Sequence, residues 1–225
     1  MRHAVSVLLV ASCLLLAGCG GGNEDVGTGG ETTTTTAASE CADVGAPEAR
    51  DAEPREAPTA KLDASTTYSL VFDTTCGSFT VTLDQKLAPN TAASLVALAK
   101  DGYFDDTIFH RVVPGFVIQG GDPTQTGGGG PGYSTVDKPP SDAKYTKGTV
   151  AMAKSPVEAP GTSGSQFFVV TDDAAAAVLT PDYAIVGEVT AGIDTIERIE
   201  ALGVPGSDGP PTKPVVISSV TVTES

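Results

Sequence analysis

The sequence predicts a mainly β domain of eight short strands and two helices, stacked as a sandwich or closed as an antiparallel barrel. Three observations predict it. Runs of four to nine residues with apolar side chains on alternate positions, or apolar throughout, recur along the C-terminal part of the chain. Only two stretches carry the three-and-four spacing of an amphipathic helix. The part of the 225-residue chain that holds these signals, about 160 residues, suits one domain around a single core.

What precedes the domain is not expected to belong to the fold. Residues 1–18 have the form of a targeting segment: Arg2 supplies a positive start and Val5–Ala17 an apolar stretch too short to span a bilayer. Leu16-Ala17-Gly18-Cys19 has the pattern of a bacterial lipobox, so cleavage would leave Cys19 to carry a lipid. The alternative is an ordinary secretory signal with an incidental cysteine, and both readings export the protein. The expected location is the outer face of the bacterial cell membrane, held by a lipid anchor only. Residues 19–64 are expected to form a disordered acidic tether. They hold a glycine cluster, the run Thr32–Thr36, and ten acids against Arg50, Arg55 and Lys61, with little apolar material to offset ordering entropy.

The domain, residues 65–225, begins with a hairpin. Tyr68, Leu70 and Phe72 alternate with polar neighbours, and after Thr75-Cys76-Gly77 the pattern resumes with Phe79, Val81 and Leu83. Pro89-Asn90-Thr91 opens a helix whose stripe is Ala92, Leu95, Val96 and Ala99, closed by Gly102. Two apolar strands, Ile108–Val113 and Phe116–Gly120, flank the turn dipeptide Pro114-Gly115. Further strands are expected at Thr149–Ala153, Gln166–Val170, Ala184–Val189 and Val215–Thr223. A second helix, Gly192 to about Leu202, would bury Ile193, Ile196, Ile199 and Leu202. Of four cysteines, Cys13 leaves with the signal and Cys19 is lipidated; in an exported protein the remaining Cys41 and Cys76 are expected to pair, two free thiols being the alternative.

Composition excludes several functions. A formal net charge of −15 without a Lys/Arg cluster argues against nucleic acid and against electrostatic attachment to anionic lipid, and leaves neutral or basic polypeptides as partners. Once the signal is removed His110 is the single histidine, which rules out the common zinc sites, and no metal or cofactor is expected. Gly161-Thr162-Ser163-Gly164-Ser165 lacks the final glycine of a nucleophile elbow, and no Gly-Lys-Ser/Thr follows Gly127–Gly130. What a folding argument leaves unexplained is an arginine and a glutamine, Arg111 and Gln119, spaced through apolar strands; such groups must be paired or face a groove.

Phe109-His110-Arg111, Pro114-Gly115-Phe116 and Gln119-Gly120-Gly121-Asp122, then Ala151-Met152-Ala153 and Gly164-Ser165-Gln166-Phe167-Phe168, resemble the cyclophilin family of peptidyl-prolyl cis-trans isomerases in order and spacing. The resemblance covers roughly Tyr68 to Val222. It implies a closed eight-stranded antiparallel barrel capped by two helices. It also implies that Phe116, Val117, Met152, Phe168 and Leu179 line a proline pocket and that Gln119 holds the substrate carbonyl. Gln166 and the backbone of Ala153 and Lys154 would position the residues before proline, with Gly128 bordering the next subsite. Counting from Ile185-Val186-Gly187, the family's tryptophan position falls at Val178 and its pocket histidine at Tyr183. Val178 brings no indole N–H and little area, so weak cyclosporin binding is expected. The stretch Ser155–Gly161 is about three residues longer than the common family spacing.

The chemistry implied needs no nucleophile. Rotation about Xaa–Pro is slow because amide resonance stiffens the C–N bond, with a barrier of about 18–20 kcal/mol. An apolar pocket for the ring and a donor to the twisted amide nitrogen lower it, and a guanidinium serves as donor without depending on pH. Arg111 is the candidate donor, acting with Phe116 and Gln119 on proline-containing polypeptides. Rates are therefore expected to vary little between about pH 6 and 9. A proline-segment binding module with little or no turnover is the alternative.

Overall fold

The computed structural model describes residues 40–225. The signal segment, Cys19 and the first half of the tether lie outside the described residues. In chain order the elements are β1 (Tyr68–Thr74), β2 (Gly77–Leu83), α1 (Pro89–Lys100), β3 (Thr107–Ile108), β4 (Arg111–Val113), β5 (Val117–Gly120), β6 (Thr135–Val136), β7 (Thr149–Met152), β8 (Thr162–Ser163), β9 (Phe167–Val170), a 3-10 turn (Asp173–Ala177), β10 (Ile185–Ala191), α2 (Ile193–Glu200) and β11 (Val216–Glu224).

Nine strands form one curled antiparallel sheet in the order β3-β11-β1-β2-β10-β7-β9-β5-β4, and β6 pairs with β8 separately. This corrects the expectation of a closed eight-stranded barrel. The run Ile108–Val113, which looks like one strand, is divided: Ile108 pairs with Val216 on one edge of the sheet, and Arg111 pairs with Gln119 on the other. Phe109 and His110 carry the chain from one edge to the other, so the curl is bridged by the chain itself rather than sealed by a ladder. The Phe109 N–H extends the pairing with β11 by donating to Val215 O at 3.0 Å, and the Val112 N–H on the free side of β4 is spent on Gly209 O at 2.8 Å, which closes that edge at this position.

The core fills the inside of the curl. Phe72 stacks on Phe79 with centroids 4.7 Å apart and tilts against Phe167 at 5.1 Å, while Phe104 and Phe109 meet Phe167 edge-on. Helix α1 contributes Ala92, Leu95, Val96 and Ala99 to this cluster, and α2 contributes Ile196 and Ile199. Helix α1 lacks a capping side chain of its own. Asp137 takes its place from 46 residues away, accepting hydrogen bonds from the Thr91 N–H and hydroxyl, both at 2.7 Å.

Residues 40–64 are not free of the domain, against the expectation of a disordered tether. They have no regular structure, yet Cys41 is disulfide-bonded to Cys76, and Arg50 donates to Tyr103 O and Asp105 O at 2.9 and 2.7 Å. The Arg55 side chain pairs with Asp101 at 2.8 Å, its N–H donates to Pro131 O at 2.7 Å, and Leu62 packs on the core. Composition suggests an unordered segment because the strap holds few apolar residues; one covalent bond, the hydrogen bonds of its two arginines, hydrogen bonds to its backbone from Gln125 and Lys213, and the packing of Leu62 fix it.

Candidate functional site

Strands β5, β7 and β9 are buried on both faces, which explains why their sequences are almost continuously apolar. The two-residue period divides them. Ile118, Val150, Met152, Phe167 and Val169 face the core, and Val117, Ala151, Phe168 and Val170 face a second cluster. On that second face the pairing Arg111–Gln119–Phe168–Ala151 sets four residues from four strands in one transverse row. Such a row is what hydrogen-bonded register gives a sheet: side chains far apart in sequence stand about 5 Å apart.

Beside this row lies a cavity of about 180 Å³ lined by Arg111, Phe116, Val117, Gln119, Ala153, Lys154, Phe168, Leu179 and Tyr183. It suits one small ring, being below the roughly 300–1,000 Å³ of pockets for drug-sized ligands. Its floor is apolar. Phe168 meets Tyr183 edge-on at 5.4 Å, and Tyr183 meets Tyr145, whose hydroxyl donates to Tyr183 O at 2.8 Å. Burial first of all raises the Tyr145 hydroxyl above its ordinary range, so it stays a donor.

The polar side of the cavity is a chain of hydrogen bonds. Arg111 Nη1 donates to Gln119 Oε1 at 3.1 Å, Gln119 Nε2 donates to Gln166 Oε1 at 3.0 Å, and Gln166 Nε2 donates to the carbonyls of Gly127 and Gly129, both at 2.9 Å. The guanidinium lies 5.8 Å from the Phe116 ring centroid. The glycine loop at the end of the relay is shaped by Asp122, which is fully buried and accepts from the Thr124 N–H and hydroxyl, and from the N–H groups of Gly127 and Gly129. Gly121 must be glycine for this loop to leave the strand: its φ is +86°, and a Cβ there would come within 2.5 Å of Ser165 O. Along the loop runs an open groove of about 790 Å³, bounded by Gln119, Gly127–Gly130, Gln166 and Ser155–Glu158.

Most of the residues named from the sequence meet here: Arg111, Phe116, Val117, Gln119, Ala153, Lys154, Phe168, Leu179 and Tyr183 around the cavity, and Gly128 and Gln166 along the groove. Two do not. Met152 is fully buried in the main core against β9, paired with Phe167, because Ala151 and Ala153 on either side take the cavity face. Val178 follows the 3-10 turn with 68 % of its surface exposed and is not among the lining residues. The Lys154 ammonium is 2.6 Å from Asp182 and its side chain only 3 % exposed, so its charge is tied down beside the cavity rather than presented to it. Asp208 and Asp122 are polar residues of the site that the sequence did not single out for it. Asp208 pairs with Arg111 from a loop 97 residues away, a contact with no local signal; Asp122 closes the Gln-Gly-Gly-Asp run and could have been suspected.

Among the described residues no group of three or more His, Cys, Asp or Glu could hold a metal ion, and no helix is long and apolar enough to cross a membrane. A family model described as "Cyclophilin type peptidyl-prolyl cis-trans isomerase/CLD" matches residues 69–222. Peptidyl-prolyl cis-trans isomerase-like 1 of Aspergillus oryzae is 39% identical over 159 residues, covering 69% of this chain and 96% of that protein. A probable peptidyl-prolyl cis-trans isomerase A of Mycobacterium leprae is 37% identical over 164 residues, covering 65% of this chain and 87% of the relative. Among solved structures, a cyclophilin-type isomerase of Cryptosporidium parvum crystallised in the presence of the dipeptide Ala-Pro superposes with a TM-score of 0.62. It shares 30% sequence identity, over 69% of this chain and 98% of that one.

Proposed function

The chain belongs to the cyclophilin-type peptidyl-prolyl cis-trans isomerases, and on that premise we propose that it isomerises Xaa–Pro bonds of exported proteins and assists their folding. The observation that carries the reading of the site is the transverse row, which sets a guanidinium at the edge of an apolar cavity of proline size. The proline ring enters between Phe116, Val117, Phe168, Leu179 and Tyr183. Gln119, held between Arg111 and Gln166, directs its amide to the carbonyl before proline. As the C–N bond twists, conjugation is lost and the nitrogen regains its lone pair; an N–H of Arg111 stabilises that lone pair more than it does the planar ground state. No covalent bond forms or breaks, so no leaving group or cofactor is required.

The residues before proline lie along the groove of Gly128, Gln166 and Ser155–Glu158. The Ala153 N–H is already spent on Gln166 O at 2.9 Å, which ties that edge of the groove to the relay. The crystallisation of the Cryptosporidium relative with Ala-Pro supports small Xaa–Pro segments as ligands here. Export and lipid attachment at Cys19 rest on the leader sequence, and the strap of residues 40–64 then joins the anchor to the domain. Weak cyclosporin binding follows from an exposed valine, Val178, where the family resemblance puts an indole. A tight complex in calorimetry contradicts that part of the reading.

The function is tested by exchange NMR on an Ala-Pro peptide series with the full chain. Acceleration of exchange is the expected result, and binding without acceleration makes this a recognition module on an isomerase scaffold. Metabolic labelling with a fatty acid, lost on Cys19→Ala, tests the anchor; unlabelled protein excludes it.

A further inference from the structure

A guanidinium has five N–H donors, and what it does depends on which are spent. In Arg111, Nε and Nη2 both donate to the Asp208 carboxylate, the Nη2 contact to Oδ2 measuring 3.2 Å, and Nη1 donates to Gln119 Oε1 at 3.1 Å. Three N–H groups are thus occupied by side chains fixed on two sides, and two remain, one on each terminal nitrogen. Asp208 is itself held in place. It lies in the connection from α2 to β11, where the Ser207 N–H donates to Val204 O at 3.0 Å and the next residue, Gly209, accepts from the Val112 N–H at 2.8 Å. The bridge between Gly209 and Val112 sets the carboxylate beside the strand that carries Arg111.

We propose that Asp208 is a positioning residue for isomerisation: its two-point grip on Arg111, opposed by Gln119, holds the guanidinium so that its two unspent N–H groups serve the cavity. This rests on the assignment of Arg111 as the donor to the twisted amide. A carboxylate beside a cation has two opposing consequences, attenuating its charge and fixing its direction. The Asp208 side chain is 66 % exposed, so water and salt screen the charge effect, whereas a paired two-point hydrogen bond sets geometry in full. Direction therefore outweighs attenuation, and removing Asp208 slows the enzyme rather than activating it. Arg111 without this partner would sample several rotamers of a long side chain, of which only some reach the substrate nitrogen.

The test compares the parent, Asp208→Ala, Asp208→Asn, Asp208→Glu and Arg111→Ala in the full chain, with lineshape NMR on an Ala-Pro peptide giving kcat and KM separately. Asp208→Ala is expected to lower kcat about tenfold with KM within about twofold, and Asp208→Glu to recover part of the loss. The Arg111 Nε–H signal, distinct in the parent, is expected to broaden or exchange away in Asp208→Ala while the rest of the amide spectrum stays in place. Unchanged or raised kcat in Asp208→Ala overturns the proposal, as does an Arg111 Nε–H signal that is unaltered. If instead the parent is inactive, or Arg111→Ala turns over normally, the assignment of Arg111 fails first. That outcome is distinguishable from an Arg111-dependent enzyme indifferent to residue 208.

Discussion

Replacing Asp122 by asparagine changes one atom at the buried root of the glycine loop, and the structure allows its cost to be worked out. One carboxylate oxygen accepts from the Thr124 N–H and hydroxyl, both at 2.8 Å; the other accepts from the Gly127 N–H at 2.7 Å and the Gly129 N–H at 3.1 Å. Asparagine keeps one acceptor oxygen and turns an NH2 toward two donors whichever way it is flipped. Two hydrogen bonds to a charged acceptor are lost, at about 1.5–3 kcal/mol each, while burying a neutral amide in place of a charge returns part of that. A net destabilisation of about 2–4 kcal/mol is expected in urea unfolding. The same loop carbonyls receive the Gln166 amide, so kcat should fall as well, through slack in the Gln166–Gln119–Arg111 relay. Burial opposes ionisation of Asp122, but the four donors outweigh it and hold the carboxyl below the usual carboxylate range. The folded state therefore keeps its charge at a pH where the unfolded chain is protonated. That contribution is whole above about pH 4 and is lost as pH falls further. An Asn variant within about 1 kcal/mol of the parent, with the same acid sensitivity, would refute the reasoning.

Three further outcomes are expected. Cys76→Ser opens the link across the 35-residue separation to Cys41, worth about 4 kcal/mol on the chain-entropy model, and should make residues 42–60 accessible to protease; an unmoved urea midpoint argues against it. His110 has both ring nitrogens buried without a partner among the described residues, and burial lowers its pKa, the Asp122 charge opposing and Arg111 assisting. Since the unfolded chain takes a proton near pH 6.5 that the folded one refuses, stability should decline as pH falls through about 6.5, and His110→Gln should flatten that slope. Turnover itself should stay level between about pH 6 and 9, since a guanidinium donor does not titrate there; a titrating limb in kcat within that range would contradict the donor role.

The strands that carry the site were legible because their apolar runs and the Pro114-Gly115 turn are local signals. The division of Ile108–Val113 was not, because it depends on Val216 and Gln119 competing for different halves of one run, a choice made by distant chain. Met152 could have been assigned correctly from the sequence alone. Ala151 and Ala153 belong to the cavity-side cluster, and alternation sends Met152 between them to the other face, so placing the Met152 side chain in the pocket conflicts with strand geometry. Asp208 lies in a Gly- and Pro-rich stretch with no periodicity, and its grip on Arg111 exists only once Gly209 meets Val112. Phe168, Gln119 and Arg111 come from separate motifs, and it is strand register that places them in one row.

The central claim is that Arg111 lowers the barrier by donating to the twisted amide. The most direct measurement is exchange NMR on an Ala-Pro peptide with the full chain and with Arg111→Ala, reading kcat and peptide affinity from the same spectra. The account predicts a fall in kcat of about 10²–10³, the scale for removing a preorganised donor, with affinity changed by less than about threefold. Equal kcat in the two proteins, or a loss that lies wholly in peptide binding, would contradict it.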